Sequence, residues 1–82
     1  MFNSRFNGRN NNVGIEIAKR RKNERISQRI LADRLREIGL NIDKNAVQRI
    51  ESGERFVTDI ELQFFATYFK CGTADLYTVT TR

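Results

Sequence analysis

The stretch from Ile26 to Gly53 constrains this chain more than any other, because it spells a helix, a break and a second, very short helix. Ser27 stands where an N-cap hydroxyl can accept an orphan backbone amide hydrogen, and Ile30, Leu31, Leu35 and Ile38 recur as one apolar stripe. Gly39 supplies the left-handed residue that ends such a helix, with Leu40 after it as the usual hydrophobic contact. A helix over residues 28–38 is predicted. Asp43 caps the next one, Val47 and Ile50 give it an inward face, and Gly53 stops it. With barely two turns, this second helix depends on packing rather than on propensity. What it leaves outward is polar: Lys44, Asn45, Gln48 and Arg49.

The flanks extend the same grammar. Val13, Ile17 and Arg21 fall at i, i+4 and i+8, and Lys19, Arg20, Arg21 and Lys22 cover the last turns, where cations oppose the negative end of the helix dipole. This predicts a first helix over residues 12–23. Thr58 to Glu61 reads as a capping box, and Leu62, Phe65, Ala66 and Phe69 recur on one face toward Gly72, predicting a helix over residues 59–70. Thr73 can cap a final short helix from Ala74 to Tyr77. Residues 1–11, with four asparagines and no apolar periodicity, read as a disordered arm whose Arg5 and Arg9 are available to phosphates. The folded domain is expected over residues 12–78 and a short tail over 79–82. No proline, strand-like alternation or repeat interrupts the pattern, so the fold class is all-α, a bundle of four to five helices.

Composition narrows the chemistry. At 82 residues and 39% hydrophobic content, one small core is all the chain can bury, so stability should be modest. The net charge of +5 is unevenly spread: residues 1–55 carry 13 Lys/Arg against seven Asp/Glu, while residues 56–82 are near neutral. A positive field confined to one half suits a polyanion, because neutralised phosphates release their counterions. Cys71 is the single cysteine, which excludes an intramolecular disulfide and fits a small apolar filler in a reducing compartment. With no histidine, the chain lacks the means for a thiolate or imidazole metal site or a nucleophile–base pair. Its five glycines are too dispersed for a phosphate loop. Neither catalysis, a cofactor nor a metal is expected. No run approaches the roughly 20 apolar residues of a membrane span, and the N-terminus is unlike a secretory signal, so a cytoplasmic location is expected.

In order along the chain stand Arg21, then Ile26, Ser27 and Gln28 with Leu31 and Ala32, then Val47 to Gly53, then Thr58 to Gly72. Together these pieces resemble the lambda-repressor-like, or Cro/CI-type (XRE), helix-turn-helix family, over about Val13 to Tyr77. The resemblance implies a compact DNA-binding domain whose third helix enters the major groove. One departure is visible: Arg36 to Asn41 adds about five residues between the second and third helices. Because Ile38 continues the apolar stripe, this reads as an elongated second helix followed by a longer connection, which changes the angle at which the third helix is presented.

A helix in the major groove reads bases from its first turn and from one face a turn later. Helical geometry and the resemblance both assign that role to Lys44, Asn45 and Arg49, with Gln48 flanking. Ser27 and the amides beside it form a partly positive end suited to a phosphate, and capping alone explains Ser27 equally well. The resemblance further implies backbone or mixed contacts at Gln28, Arg55 and Thr58. It also implies a structural ion pair between Arg21 and Glu51, which accounts for a charge on the face of Val13 and Ile17. Phe56, Phe64, Phe65, Tyr68, Phe69 and Tyr77 are expected in core and interface, since no strand platform displays them to bases.

The expectation is therefore a sequence-specific regulator, a repressor in its simplest form, binding an inverted repeat of double-stranded DNA as a homodimer. The segment around Leu76, Tyr77 and Val79 is the candidate dimer surface. A reading from another class keeps the fold but makes it a protein-interaction module, such as an antitoxin-like or phage-encoded partner. A third is non-specific coating of DNA or RNA. Salt separates the first two, because phosphate contacts weaken steeply with ionic strength and an aromatic interface does not.

Overall fold

The computed structural model describes residues 12–76. The expected arm with Arg5 and Arg9, the expected tail, Tyr77 and Val79 lie outside the described residues. Among the described residues four α-helices follow one another, α1 (Asn12–Asn23), α2 (Gln28–Glu37), α3 (Lys44–Ser52) and α4 (Asp59–Phe69), then a 3-10 turn, Thr73–Leu76. No strand interrupts them among the described residues. The domain is all-α. α3 packs against both α1 and α2, α4 packs against α2 and the 3-10 turn, and that turn also meets α1.

The starts of α2, α3 and α4 are each set by a side chain. The Ser27 hydroxyl accepts from the Ile30 amide at 3.0 Å, and the Asp43 carboxylate accepts from the Ala46 amide at 2.8 Å. At α4 the box is reciprocal: the Glu61 amide donates to Thr58 Oγ1 at 3.2 Å while the Thr58 amide donates to Glu61 Oε1 at 3.0 Å. Inside, Ile17, Leu31, Leu35, Val47, Ile50, Phe65 and Leu76 are fully buried, with Val13, Ala32, Leu40, Ile42, Leu62 and Ala66 around them. Every helix contributes to this one core.

The connection between α2 and α3 differs from its prediction. Ile38 is 41% exposed, as is Ile30, so the buried stripe of α2 is carried by Leu31, Ala32 and Leu35. Gly39, at φ +113°, reverses the chain while its amide donates to Arg36 O and that of Leu40 to Leu35 O. The reversal brings Leu40, and then Ile42, into the core position that Ile38 was expected to fill. The extra residues therefore lie mainly in the connection, not in a further helical turn. Arg36 Nη1 holds that connection by donating to the Ile42 carbonyl at 2.8 Å. From the other side Phe64 of α4 presses on it: a Cβ added at Gly39 would lie 3.3 Å from Phe64 Cε1.

α4 ends within one residue of its predicted end. Lys70, not Gly72, takes the left-handed conformation, at φ 59°. The Cys71 amide then donates to Ala66 O at 3.0 Å. Gly72 instead donates its amide to Asp75 Oδ2 at 3.0 Å, which fixes the 3-10 turn one residue earlier than the predicted helix. Leu76 ends fully buried in the core of its own chain. That burial removes Leu76 from the predicted dimer surface.

Candidate nucleic-acid interface

Because Val47 and Ile50 are driven into the core, α3 has one rotational setting, and its remaining face must point outward. Lys44, Asn45, Gln48 and Arg49 all lie on that face and all are exposed. Among the described residues, the side chains of Lys44, Asn45 and Gln48 make no hydrogen bond or ion pair. Arg49 Nε stands 3.7 Å from Glu54 Oε1, with both side chains more than half exposed, a contact of little energetic weight. The four groups thus remain available to a partner.

The residues expected to touch the DNA backbone are placed differently. The Ser27 hydroxyl is engaged by the Ile30 amide, and the Thr58 hydroxyl by the Glu61 amide. Gln28 Nε2 donates inward to Glu51 Oε1 at 2.9 Å. Arg55 makes a two-pronged pair with Glu61, Nη1 to Oε1 at 3.0 Å and Nη2 to Oε2 at 2.7 Å, and Nη1 also donates to the Phe56 carbonyl. These bonds to Glu61 raise the Arg55 pKa above its ordinary value. In return the Arg55 bonds, helped by the Thr58 amide, hold the Glu61 carboxyl below the usual carboxylate range. All four side chains are thus committed within the protein.

Arg21 and Glu51 meet across 30 residues of sequence, Nε to Oε2 at 2.8 Å and Nη2 to Oε1 at 3.0 Å. Arg21 Nη1 also donates to the Ile26 carbonyl at 2.9 Å, so one guanidinium joins α1, the turn before α2 and α3. Both side chains are largely buried, at 12% and 7% exposure. Gln28 completes the cluster, a role the sequence concealed because nothing in its spacing marks Glu51 as shared. On the far side of α2 a second polar link was likewise unforeseen. There the Tyr68 hydroxyl donates to Glu24 at 2.8 Å and accepts from Arg34 at 2.9 Å, and burial raises its pKa.

Between α2 and α3 opens a cleft of about 350 Å³, lined by Arg29, Ala32, Asp33, Arg36, Asp43, Lys44 and Asn45. It borders the first turn of α3. The aromatic residues divide: Phe65 is fully buried, Phe64, Tyr68 and Phe69 pack partly against the core, and Phe56 stands 64% exposed, as Ile60 does at 66%. Phe56 is thus no part of the monomer's core. Cys71 packs against the core while staying partly accessible.

Among the described residues no helix is long and apolar enough to cross a membrane, and no cluster of His, Cys, Asp or Glu could hold a metal ion. No family model matches the chain, and neither a curated protein nor a solved structure matches it.

Proposed function

We propose that this protein is a sequence-specific DNA-binding regulator of the helix-turn-helix type, with α3 as the reading helix. The observation that carries this reading is the outward face of α3, four long polar side chains on a helix locked by Val47 and Ile50. Asn45 suits bidentate pairing with adenine, and Arg49 or Lys44 suits guanine, each good pair contributing about 1–3 kcal/mol of discrimination. Gln48 flanks them. The resemblance to the Cro/CI-type family supports the same assignment, as does the basic half of the chain. Repression by occluding a promoter is the simplest outcome.

A homodimer on an inverted repeat places one α3 in each of two successive major grooves, about 34–36 Å apart. Since Leu76 is buried, the surface for the second copy is better sought at Phe56 and Ile60, the most exposed large apolar residues among those described, which follow α3 in the chain. The protein-interaction reading draws on that same pair, and salt separates the two. Selection from a random duplex pool tests the proposal: wild type enriches a defined two-fold symmetric site, and Asn45→Ala and Arg49→Ala each relax the preference at particular positions. Unchanged preference in both variants would sink the assignment of α3.

A further inference from the structure

We infer that Arg29, on the first turn of α2, holds a DNA backbone phosphate at the mouth of the α2–α3 cleft and so sets the depth at which α3 docks. This rests on the proposal that α3 reads DNA. Phosphate binding needs a cation whose charge is not already consumed, and the sequence-based candidates do not supply one. Arg55 is held by Glu61 through both prongs of its fork, Gln28 faces Glu51, and the Ser27 and Thr58 hydroxyls accept helix amides. Arg20, Arg21, Arg34 and Arg36 are likewise engaged, by Glu16, by Glu51, by Tyr68 and by Asp33 with the Ile42 carbonyl.

Among the described residues, Lys19, Lys22, Arg25, Arg29, Lys44 and Lys70 keep their cations without such a bond. Of these, Arg29 and Lys44 alone line the cleft that Asn45 also lines. The cleft contains two carboxylates that could compete for Arg29, Asp33 and Asp43, and each already accepts a hydrogen bond from another group. Asp33, one turn along the same helix, is drawn off by Arg36, and Asp43 accepts the Ala46 amide. Arg36 therefore does two things: it fixes the long connection and draws Asp33 away from Arg29. An exposed, unpaired guanidinium offers the planar fork that phosphate oxygens accept bidentately. Because α2 and α3 are packed together, a phosphate fixed by Arg29 positions α3 as a rigid body.

The test measures duplex binding by the full chain across a salt series, on the selected site and on a scrambled duplex. Arg29→Ala should weaken both and leave the order of preferred bases intact. Its log–log salt slope should be shallower by about 0.9 per protomer, about 1.8 for a dimer on the two-fold site, so the wild-type advantage there shrinks about twelvefold between 50 and 200 mM salt. Arg29→Lys should keep the wild-type slope. Since Arg29 makes no bond in the protein, thermal melts of both variants should match wild type, which separates lost contact from lost fold. A wild-type slope in Arg29→Ala, or a changed base preference without a change of slope, would overturn the inference while leaving α3 as the reader. Wild-type binding that ignores both salt and sequence would overturn the underlying proposal as well.

Discussion

Arg21 is a charge on the face that Val13 and Ile17 bury, and the fold tolerates it because Glu51 and the Ile26 carbonyl satisfy the guanidinium from two elements at once. Removing either partner strands the other in a largely desolvated site. Arg21→Ala and Glu51→Ala should each lose about 3–5 kcal/mol in urea denaturation. Glu51→Ala should also release Gln28, which donates to the same carboxylate. Two backbone positions predict opposite signs. Gly39→Ala meets both a left-handed φ and Phe64, and should cost about 1–2 kcal/mol. Lys70 occupies a left-handed position with a side chain, so Lys70→Gly should raise stability by about 0.5–1 kcal/mol in the same assay.

At the scale of elements, the capping box of α4 carries a pH dependence. Glu61 accepts from Arg55 and from the Thr58 amide, which lowers its pKa in the folded state. The stability this gives is present above the ordinary carboxyl value of 4.5 and is lost as pH falls through the lowered folded value. Glu61→Gln should therefore be less stable than wild type at pH 7, with the gap closing as the pH falls below 4.5 in denaturation series. Much of this architecture was legible in the residues: Ser27, Asp43 and Thr58 are caps because short polar side chains before apolar periodicity have little else to do. Gly39 and Gly53 likewise end their helices with left-handed turns. The α2–α3 connection was misread because a stripe ending in Ile38 and a reversal at Gly39 make the same local pattern. Only tertiary packing decides that Leu40 and Ile42 enter the core and Ile38 does not. The left-handed Lys70 carries no local signal, because residues with a side chain rarely adopt that conformation.

For the whole molecule, the candidate site divided along a physical line. Side chains that project from α3 could be assigned from the helical period, because the positions of Val47 and Ile50 dictate where Lys44, Asn45, Gln48 and Arg49 go. Side chains at helix ends and loops could not, because their partners come from distant sequence, as Glu51 does for Gln28 and Arg21. Burial of Leu76 likewise moves the proposed self-association surface to Phe56 and Ile60. Replacing both by Ser should lower the sedimentation-derived dimer fraction and weaken binding to a two-half-site duplex more than to a single half-site.

Whether the outward face of α3 meets DNA is read from backbone amide shifts recorded by NMR during titration with the selected duplex. The largest changes should fall on residues 44–49 and on the first turn of α2, and they should diminish in Asn45→Ala with Arg49→Ala. Changes concentrated on Phe56 and Ile60, with residues 44–49 unmoved, would contradict that contact.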